Sequence, residues 1–383
     1  MALSDTPFTP GSHSQKRITK SLERSASWLA NILRPVPGQL VSSAADPHLL
    51  NVLVHMVGGT SPAARQAFSQ SLLEPLFDKE AEAIKPLNNL DEGVAGYTFD
   101  LAPLHKSISS DPAPCDSGTT KNPFMDAADL FSTPPTPFAT AQIISLIRTS
   151  LGPLPATKPR IVHSAGSPHE VLVLIRDCGV DLFDAHWAQR AADVGVALDF
   201  VFPVPVTAAG NSVPPREIGH NLYDKRYSHD FSPFADALRS CTDGGTGLSC
   251  PCMACSPSRP SEPLKHSSVD EAPPVHAAVP YTRAYVHHLL HTHEMSAHTL
   301  LALHNLAVLD LFFAGVRRVL SEQPEQFSEE IARFEQNYDG KLGVFAESRK
   351  DWNDVTLARG KGRLVREREK EKQGALETAV ELE

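Results

Sequence analysis

Three cysteines stand close together in the segment Cys250-Pro-Cys252-Met-Ala-Cys255, here called the cysteine knuckle. The C-x-C-x-x-C spacing lets one turn aim three thiolates at a single point, as a tetrahedral zinc ion requires. The alternative is three cysteines packed as small apolar residues, which the density of the cluster disfavours. Three thiolates and one imidazole fill the zinc shell and leave no position for a reactive water. The sequence therefore predicts one structural Zn²⁺ per chain that adds to the folding energy.

The histidine that completes this site is not identified by spacing. His287 and His291 are four residues apart, which places both on one face of a helix and often marks a metal pair. His266 and His276 lie in a stretch without periodicity, where holding a ring in place is costly. Neither argument selects one residue. The candidates that follow the knuckle are His266, His276, His287, His288, His291, His293, His298 and His304.

The remaining cysteines indicate the redox environment of the chain. Cys115, Cys178 and Cys241 are isolated, so they are interpreted as small buried residues or unreactive surface thiols. Six cysteines in 383 residues, three of them bunched, do not form a disulfide framework. This pattern predicts a reducing compartment, with the cytosol as the expected location.

Composition excludes several classes of protein. The formal net charge of −10 disfavours a large non-specific nucleic-acid surface, although a local basic groove stays open. No apolar run approaches the roughly 18 residues that a membrane helix needs, so no membrane span is expected. The first 20 residues contain no apolar core typical of a secretory signal.

Strand-like and helix-like segments alternate along the chain, which predicts an α/β protein with a parallel sheet. A closed (β/α)₈ barrel is one form of this architecture. The predicted helices cover residues 16–33, 61–79, 139–150 and 168–178, and a strongly helical region runs to about residue 318. The predicted strands cover residues 49–57, 96–101, 160–162, 180–184 and 196–202.

Composition shifts divide the chain further. Residues 1–15 are predicted to be disordered, residues 16–350 to form the main domain, and residues 351–383 to form a charged tail. Within the domain, residues 106–137 and 256–280 are rich in Ser and Pro without periodicity, and both are predicted to be loop insertions. The zinc subdomain is expected at about residues 245–310.

Three motifs in a fixed order resemble those of the tRNA-guanine transglycosylases. They are the cysteine knuckle, the segment Thr282-Arg-Ala-Tyr-Val-His-His-Leu289, and the segment Leu303-His-Asn-Leu306. In that family the histidine of the last element is the fourth zinc ligand, which here is His304. The insertion at 256–280 is a departure, since the family has only a few residues there. A loop of this length is tolerated because closure cost grows slowly with length.

The resemblance extends upstream over most of residues 16–350. Val57-Gly-Gly59 with Arg65 is similar to a family strand, glycine turn and helix, and Gly179-Val-Asp-Leu-Phe-Asp184 is similar to the strand that ends on the nucleophile. The family implies a (β/α)₈ barrel, incomplete here at the N-terminus, with an inserted zinc-binding subdomain. The family reaction exchanges guanine at the wobble position of tRNA for a modified base, which is queuine in eukaryotes. A carboxylate attacks the ribose carbon, and the new base then displaces it.

Departures from the family pattern predict that this chain does not perform the reaction. Val57 replaces a glutamine that reads the base, and Thr98-Phe-Asp-Leu101 replaces glycines that let the backbone approach it. The family's N-terminal D-S-G-G-[FY]-Q element and the later aspartate that recognises the base do not occur. After Asp184 the expected Cys, Pro, Thr and second Arg are replaced by Ala185, Ala188, Gln189 and Asp193.

These departures predict a non-catalytic subunit in which Asp184 is a relic of the nucleophile. The expected partner is a catalytic queuine tRNA-ribosyltransferase subunit in a heterodimer, with tRNA bound through the complex. The expected location is the cytoplasm, with peripheral association at the mitochondrial outer membrane. Two alternatives stay open: an active transglycosylase that uses Asp184, and a partial product without a stable barrel, whose unpaired strand edges would cause aggregation.

Overall fold

The computed structural model describes residues 1–6, 14–34, 51–109, 137–205, 215–237, 250–256 and 280–358. Several predicted features lie outside these ranges: Cys115, Cys241, His266, His276, most of both insertions and the tail beyond residue 358. The chain divides into two compact units, Met1–Trp187 and Ala188–Glu383.

The first unit contains the predicted parallel sheet. Its four strands are β1 (Val52–His55), β2 (Val94–Asp100), β3 (Arg160–His163) and β4 (Leu182–Phe183), and they pair in the order β1-β2-β3-β4. Strand β2 is buried on both faces, which explains its nearly continuous apolar sequence. Because all four strands are parallel, their carboxyl ends meet at one edge of the sheet.

Helices of the first unit pack against one another. Ser61 and Ser167 each cap the N-terminus of a helix by accepting a backbone N–H, and each is followed by a proline in the first turn. Gly179 ends a helix in the left-handed conformation at φ 59°. The helices are α1 (Gln15–Ile32), α2 (Pro62–Leu73), α3 (Asp78–Ala83), α4 (Ala102–Ser109), α5 (Pro137–Leu151) and α6 (Pro168–Cys178).

One predicted helix in the first unit is wrong. The helix predicted over 61–79 is two helices, because Glu74 is extended ahead of Pro75 and ends α2. Helix α4 continues to Ser109, past residue 106, and the rest of the predicted insertion lies outside the described residues. Strands β1 and β4 are also shorter than the apolar runs that predict them, because only part of each run pairs with a neighbouring strand.

The second unit differs from the predicted parallel arrangement. Strands β5 (Val196–Leu198) and β6 (Gly219–Asn221) pair antiparallel in a separate two-stranded sheet. The described residues therefore contain six strands in two sheets, and a closed eight-stranded barrel is not seen among them. The helices are α7 (His186–Asp193), which begins at the end of the first unit, α8 (Arg283–His291), α9 (Met295–Glu322) and α10 (Phe327–Asn337), and residues 343–358 are also helical.

Helix α9 forms the centre of the second unit. Phe312 on this helix packs edge to face with Phe200 and Phe202, and Phe334 of α10 completes the aromatic cluster. By length and composition alone, its 28 residues could cross a membrane, and 44% of its most apolar window is buried. This single helix does not conflict with the expectation that the chain has no membrane span.

Candidate metal centre

The cysteine knuckle forms a tight buried turn in the second unit. Cys250, Cys252 and Cys255 are 4%, 7% and 3% exposed. The Cys255 N–H donates to the Cys252 sulfur over 3.2 Å, and the Ser256 N–H donates to the Cys252 carbonyl over 2.8 Å. These backbone hydrogen bonds fold the chain so that all three thiols face the same side.

His304, on α9, completes the cluster. Its Nδ1 lies 3.4 Å from the Cys255 sulfur and 3.9 Å from the Cys252 sulfur, and its side chain is fully buried. On the other side of the ring, Nε2 lies 2.8 Å from the carbonyl oxygen of Leu198 in β5. A nitrogen next to a carbonyl must donate, so Nε2 carries a proton, and in the neutral ring Nδ1 presents its lone pair to the thiols.

The spacing of these atoms fits a tetrahedral zinc ion. Ligand atoms of Cys250, Cys252, Cys255 and His304 all lie within 4.8 Å of one another. Zinc–sulfur and zinc–nitrogen bonds of about 2.3 and 2.05 Å at tetrahedral angles place sulfur and nitrogen about 3.6 Å apart. The two observed distances from His304 bracket that value. The donor set and its geometry therefore match a closed structural site.

Electrostatics within the cluster also favour a cation. Hydrogen bonds with Cys250 and Cys255 lower the pKa of Cys252, whereas hydrogen bonds with Cys250 and Cys252 raise the pKa of Cys255. The protein alone thus stabilises one thiolate but not a second beside it. Burial lowers the pKa of His304, but hydrogen bonds with Cys250 and Cys252 outweigh it and raise the value to about 9. A divalent cation would stabilise the additional thiolates and displace their protons.

Other histidine candidates have structural roles in the second unit. The His287 Nδ1 contacts the Leu222 carbonyl at 2.9 Å, and the His291 Nε2 contacts the Tyr223 carbonyl at 3.0 Å. Their spacing of four residues places them on one helix face, as predicted, but that face packs on the segment after β6. His298 likewise contacts the carbonyl of Ala192 at 3.0 Å. His304 is the only one of the described candidates in the cysteine cluster.

A second polar cluster, not predicted from the sequence, surrounds Arg283. This guanidinium is 5% exposed and bonds the carboxylates of Asp230 at 3.3 Å and Asp236 at 2.8 Å. It also lies 2.9 Å from the His220 Nε2, which itself lies 2.9 Å from Asp199. Arg283 is therefore paired inside the protein with two aspartates. No local signal in the sequence connects it with them.

The structure places the predicted nucleophile position in the first unit. Asp184 follows β4 at the carboxyl edge of the parallel sheet, and its carboxylate accepts the Ser164 N–H over 3.1 Å. Val57 is buried, and the Thr98 side chain is fully buried close to His55. Gln189 and Asp193 bond each other at 3.1 Å on α7. The side chains at these positions are therefore buried or hydrogen-bonded to other residues of the chain.

Comparison with known proteins agrees with the motifs. The family model described as queuine tRNA-ribosyltransferase matches residues 138–340. Proteins named queuine tRNA-ribosyltransferase accessory subunit 2 are similar to the chain in several organisms. The Schizosaccharomyces pombe protein is 31% identical over 193 residues, which cover 49% of this chain and 35% of that protein. The Danio rerio protein is 30% identical over 214 residues, which cover 49% and 42%.

A longer and weaker match covers more of the chain. The Xenopus laevis protein of the same name is 26% identical over 346 residues, or 84% of this chain and 62% of that protein. The matched segments thus span from about a third to somewhat less than two thirds of these relatives. The family match runs from α5 to the segment after α10 and includes the knuckle, α8 and His304. The chain belongs to the queuine tRNA-ribosyltransferase family.

Proposed function

We propose that this chain is the non-catalytic subunit of a heterodimeric queuine tRNA-ribosyltransferase, which exchanges guanine for queuine at the wobble position of tRNAs with GUN anticodons. The observation that carries the proposal is its similarity to accessory subunits in yeast, fish and frog. The buried Val57 and Thr98, which cannot present a base-reading amide or an open glycine backbone, support it from the first unit.

We further propose that Cys250, Cys252, Cys255 and His304 hold one structural zinc ion. The support is the buried Cys₃His cluster, its tetrahedral spacing and the hydrogen bond that fixes the His304 ring. When bound, the ion supplies a rigid joint between the knuckle and α9. The family resemblance also supports a (β/α)₈ barrel, of which β1 to β4 are consecutive parallel strands.

The proposed contact with the catalytic subunit lies on the residues from Tyr281 to Leu306. Tyr281 and Tyr285 stack at 5.4 Å and are 38% and 44% exposed. Leu303 and Leu306 on α9 are 38% and 39% exposed. Exposed aromatic and aliphatic side chains of this kind are typical anchors of a protein interface. In this proposal the complex of the two subunits holds the tRNA. The proposed location is the cytoplasm or the outer surface of the mitochondrion, and cell fractionation tests it.

The test is incorporation of labelled queuine into tRNA by this chain alone, by a catalytic subunit alone, and by the mixture. Incorporation by the mixture alone is the expected result. Incorporation by this chain alone, lost in Asp184→Ala, would overturn the proposal in favour of an active enzyme. The interface is tested with Tyr285→Ala and Leu306→Ala, which should weaken association, against Leu320→Ala, an equally exposed residue of α9 outside the segment.

A further inference from the structure

Two aspartates flank β4, the shortest strand of the parallel sheet. Strand β4 has only the two residues Leu182 and Phe183, which pair with Ile161 and Val162 of β3. A two-residue ladder contributes few backbone hydrogen bonds, so its position needs other support. Asp181 precedes the strand and Asp184 follows it.

Each aspartate side chain accepts a backbone N–H from the β3 chain. The Asp181 carboxylate accepts the Arg160 N–H over 2.8 Å, at the first residue of β3. The Asp184 carboxylate accepts the Ser164 N–H over 3.1 Å, just beyond the last residue of β3. The two side chains thus extend the β3–β4 pairing by one contact at each end.

The contact at Asp184 stabilises an unusual backbone conformation. Ser164 has a φ of +61°, in the left-handed region that side-chain-bearing residues rarely adopt. A hydrogen bond from its N–H to a carboxylate is charge-assisted and is suited to stabilise such a turn. The same oxygen, Oδ2, lies 3.5 Å from the His163 Nδ1, while Oδ1 faces the His186 N–H at 3.4 Å. Both carboxylate oxygens therefore face groups of the protein itself.

We infer that Asp184 is a structural residue that holds the left-handed turn at Ser164 and, together with Asp181 at the other end of the strand, fixes β4 against β3. This inference deepens the proposed non-catalytic function and rests on it only for the interpretation of activity data. The geometry adds to the relic interpretation of Asp184, because it gives the side chain a present role in the fold. Asp181 gains the matching role at the other end of the strand.

The inference is tested by a double-mutant cycle in the full-length chain. Asp184→Ala should lower the melting temperature by roughly 2–4 °C. Ser164→Gly alone should change it little, because glycine adopts the left-handed region without the side-chain penalty. Because glycine keeps the backbone N–H that donates to Asp184, Asp184→Ala should cost a similar amount in the Ser164→Gly background. No loss in either background would overturn the inference, since the carboxylate contact would then contribute nothing to stability.

Asp181→Ala is the matched control, because it removes the equivalent contact to Arg160 on the same strand. Its melting-temperature loss should be unchanged by Ser164→Gly. Hydrogen exchange of peptides covering 160–165 and 182–187 should accelerate in both single variants.

Queuine incorporation with the catalytic subunit gives the second readout. The Asp184→Ala/Ser164→Gly variant should retain the rate, whereas loss of incorporation in Asp184→Asn at an unchanged melting temperature would identify a nucleophile. If the mixture of the two subunits incorporates no queuine, the proposed function is wrong. The melting temperatures of the variants still test the structural role of Asp184.

Discussion

His304 and Leu198 are joined by a 2.8 Å hydrogen bond that fixes the imidazole of α9 to the end of strand β5. The next residue, Asn305, accepts the Leu198 N–H over 2.9 Å. Two successive side chains of one helix thus satisfy both backbone groups of one strand residue. This contact sets the rotation of α9 and directs the His304 Nδ1 at the three thiols.

Replacement of His304 should release the metal. His304→Ala is expected to lower bound zinc from about one per chain to near zero and to destabilise the second unit by more than about 3 kcal/mol, because structural zinc binding is coupled to folding. Atomic emission on the purified protein measures the metal. His291→Ala is the control, since it removes a histidine that bonds only a carbonyl among the described residues, and it should retain zinc. Zinc at the wild-type level in His304→Ala would contradict the Cys₃His site.

Replacement of Asn305 should destabilise the fold without removing a metal ligand. Its amide also donates to the carbonyls of Val196 and Ala188, at 2.9 and 3.2 Å. Asn305→Ala leaves these buried backbone groups and the Leu198 N–H without their partner, at a cost of about 3–5 kcal/mol. Denaturant unfolding measures the loss. Asn305→Asp keeps the acceptor but loses the donor, so a variant as stable as the wild type would show that the amide contacts contribute nothing.

Gly315 on α9 should tolerate no side chain. A Cβ at this position would lie 1.7 Å from the Phe202 carbonyl oxygen, so helix and backbone would have to separate. Gly315→Ala should therefore cost more than about 3 kcal/mol or prevent folding. At Gly343, by contrast, the nearest atom to an added Cβ is a flexible carboxylate at 3.4 Å. Gly343→Ala should fold normally, and equal thermal melts for the two variants would refute the close approach.

Asp5 should make the stability of the first unit depend on acid pH. Its hydrogen bond with Arg17 is the main cause that lowers its pKa to about 2, from an ordinary value near 3.8. Because the folded value lies below the unfolded one, the stabilisation is complete above about pH 5 and is lost as the pH falls through about 2. Arg17 is exposed, so solvent screens the pair and keeps its contribution small. Thermal melts should show Asp5→Asn less stable than the wild type at pH 6 and nearly equal to it below about pH 2.

The sequence predicts features that depend on local pattern. The spacing of the cysteine knuckle fits zinc, the apolar periodicity of residues 16–33 indicates α1, and Pro62 near the first turn marks the start of α2. The parallel order of β1 to β4 followed from the alternation of strand and helix. His304, however, was indistinguishable from seven other histidines by spacing and required a family resemblance.

Features that depend on contacts distant in sequence were missed. The antiparallel pairing of β5 and β6 rests on three residues per strand, too few for a pattern. The cluster around Arg283 joins residues up to 84 positions away in sequence, such as Asp199, and no local signal connects them. The hydrogen bond between Asp184 and Ser164 joins two strands, so no local sequence pattern reveals it. The sequence therefore leads only to an analogy between Asp184 and the family nucleophile.

Four consecutive residues of α9 face different surroundings: Leu303 and Leu306 are exposed, whereas His304 and Asn305 face the metal cluster and strand β5. Any displacement of His304 on metal loss must therefore turn the two exposed leucines as well. If those leucines contact the catalytic subunit, zinc affinity and subunit affinity are thermodynamically linked, and each must strengthen the other by the same factor. Chelators would then dissociate the heterodimer, and the partner would slow the exchange of zinc.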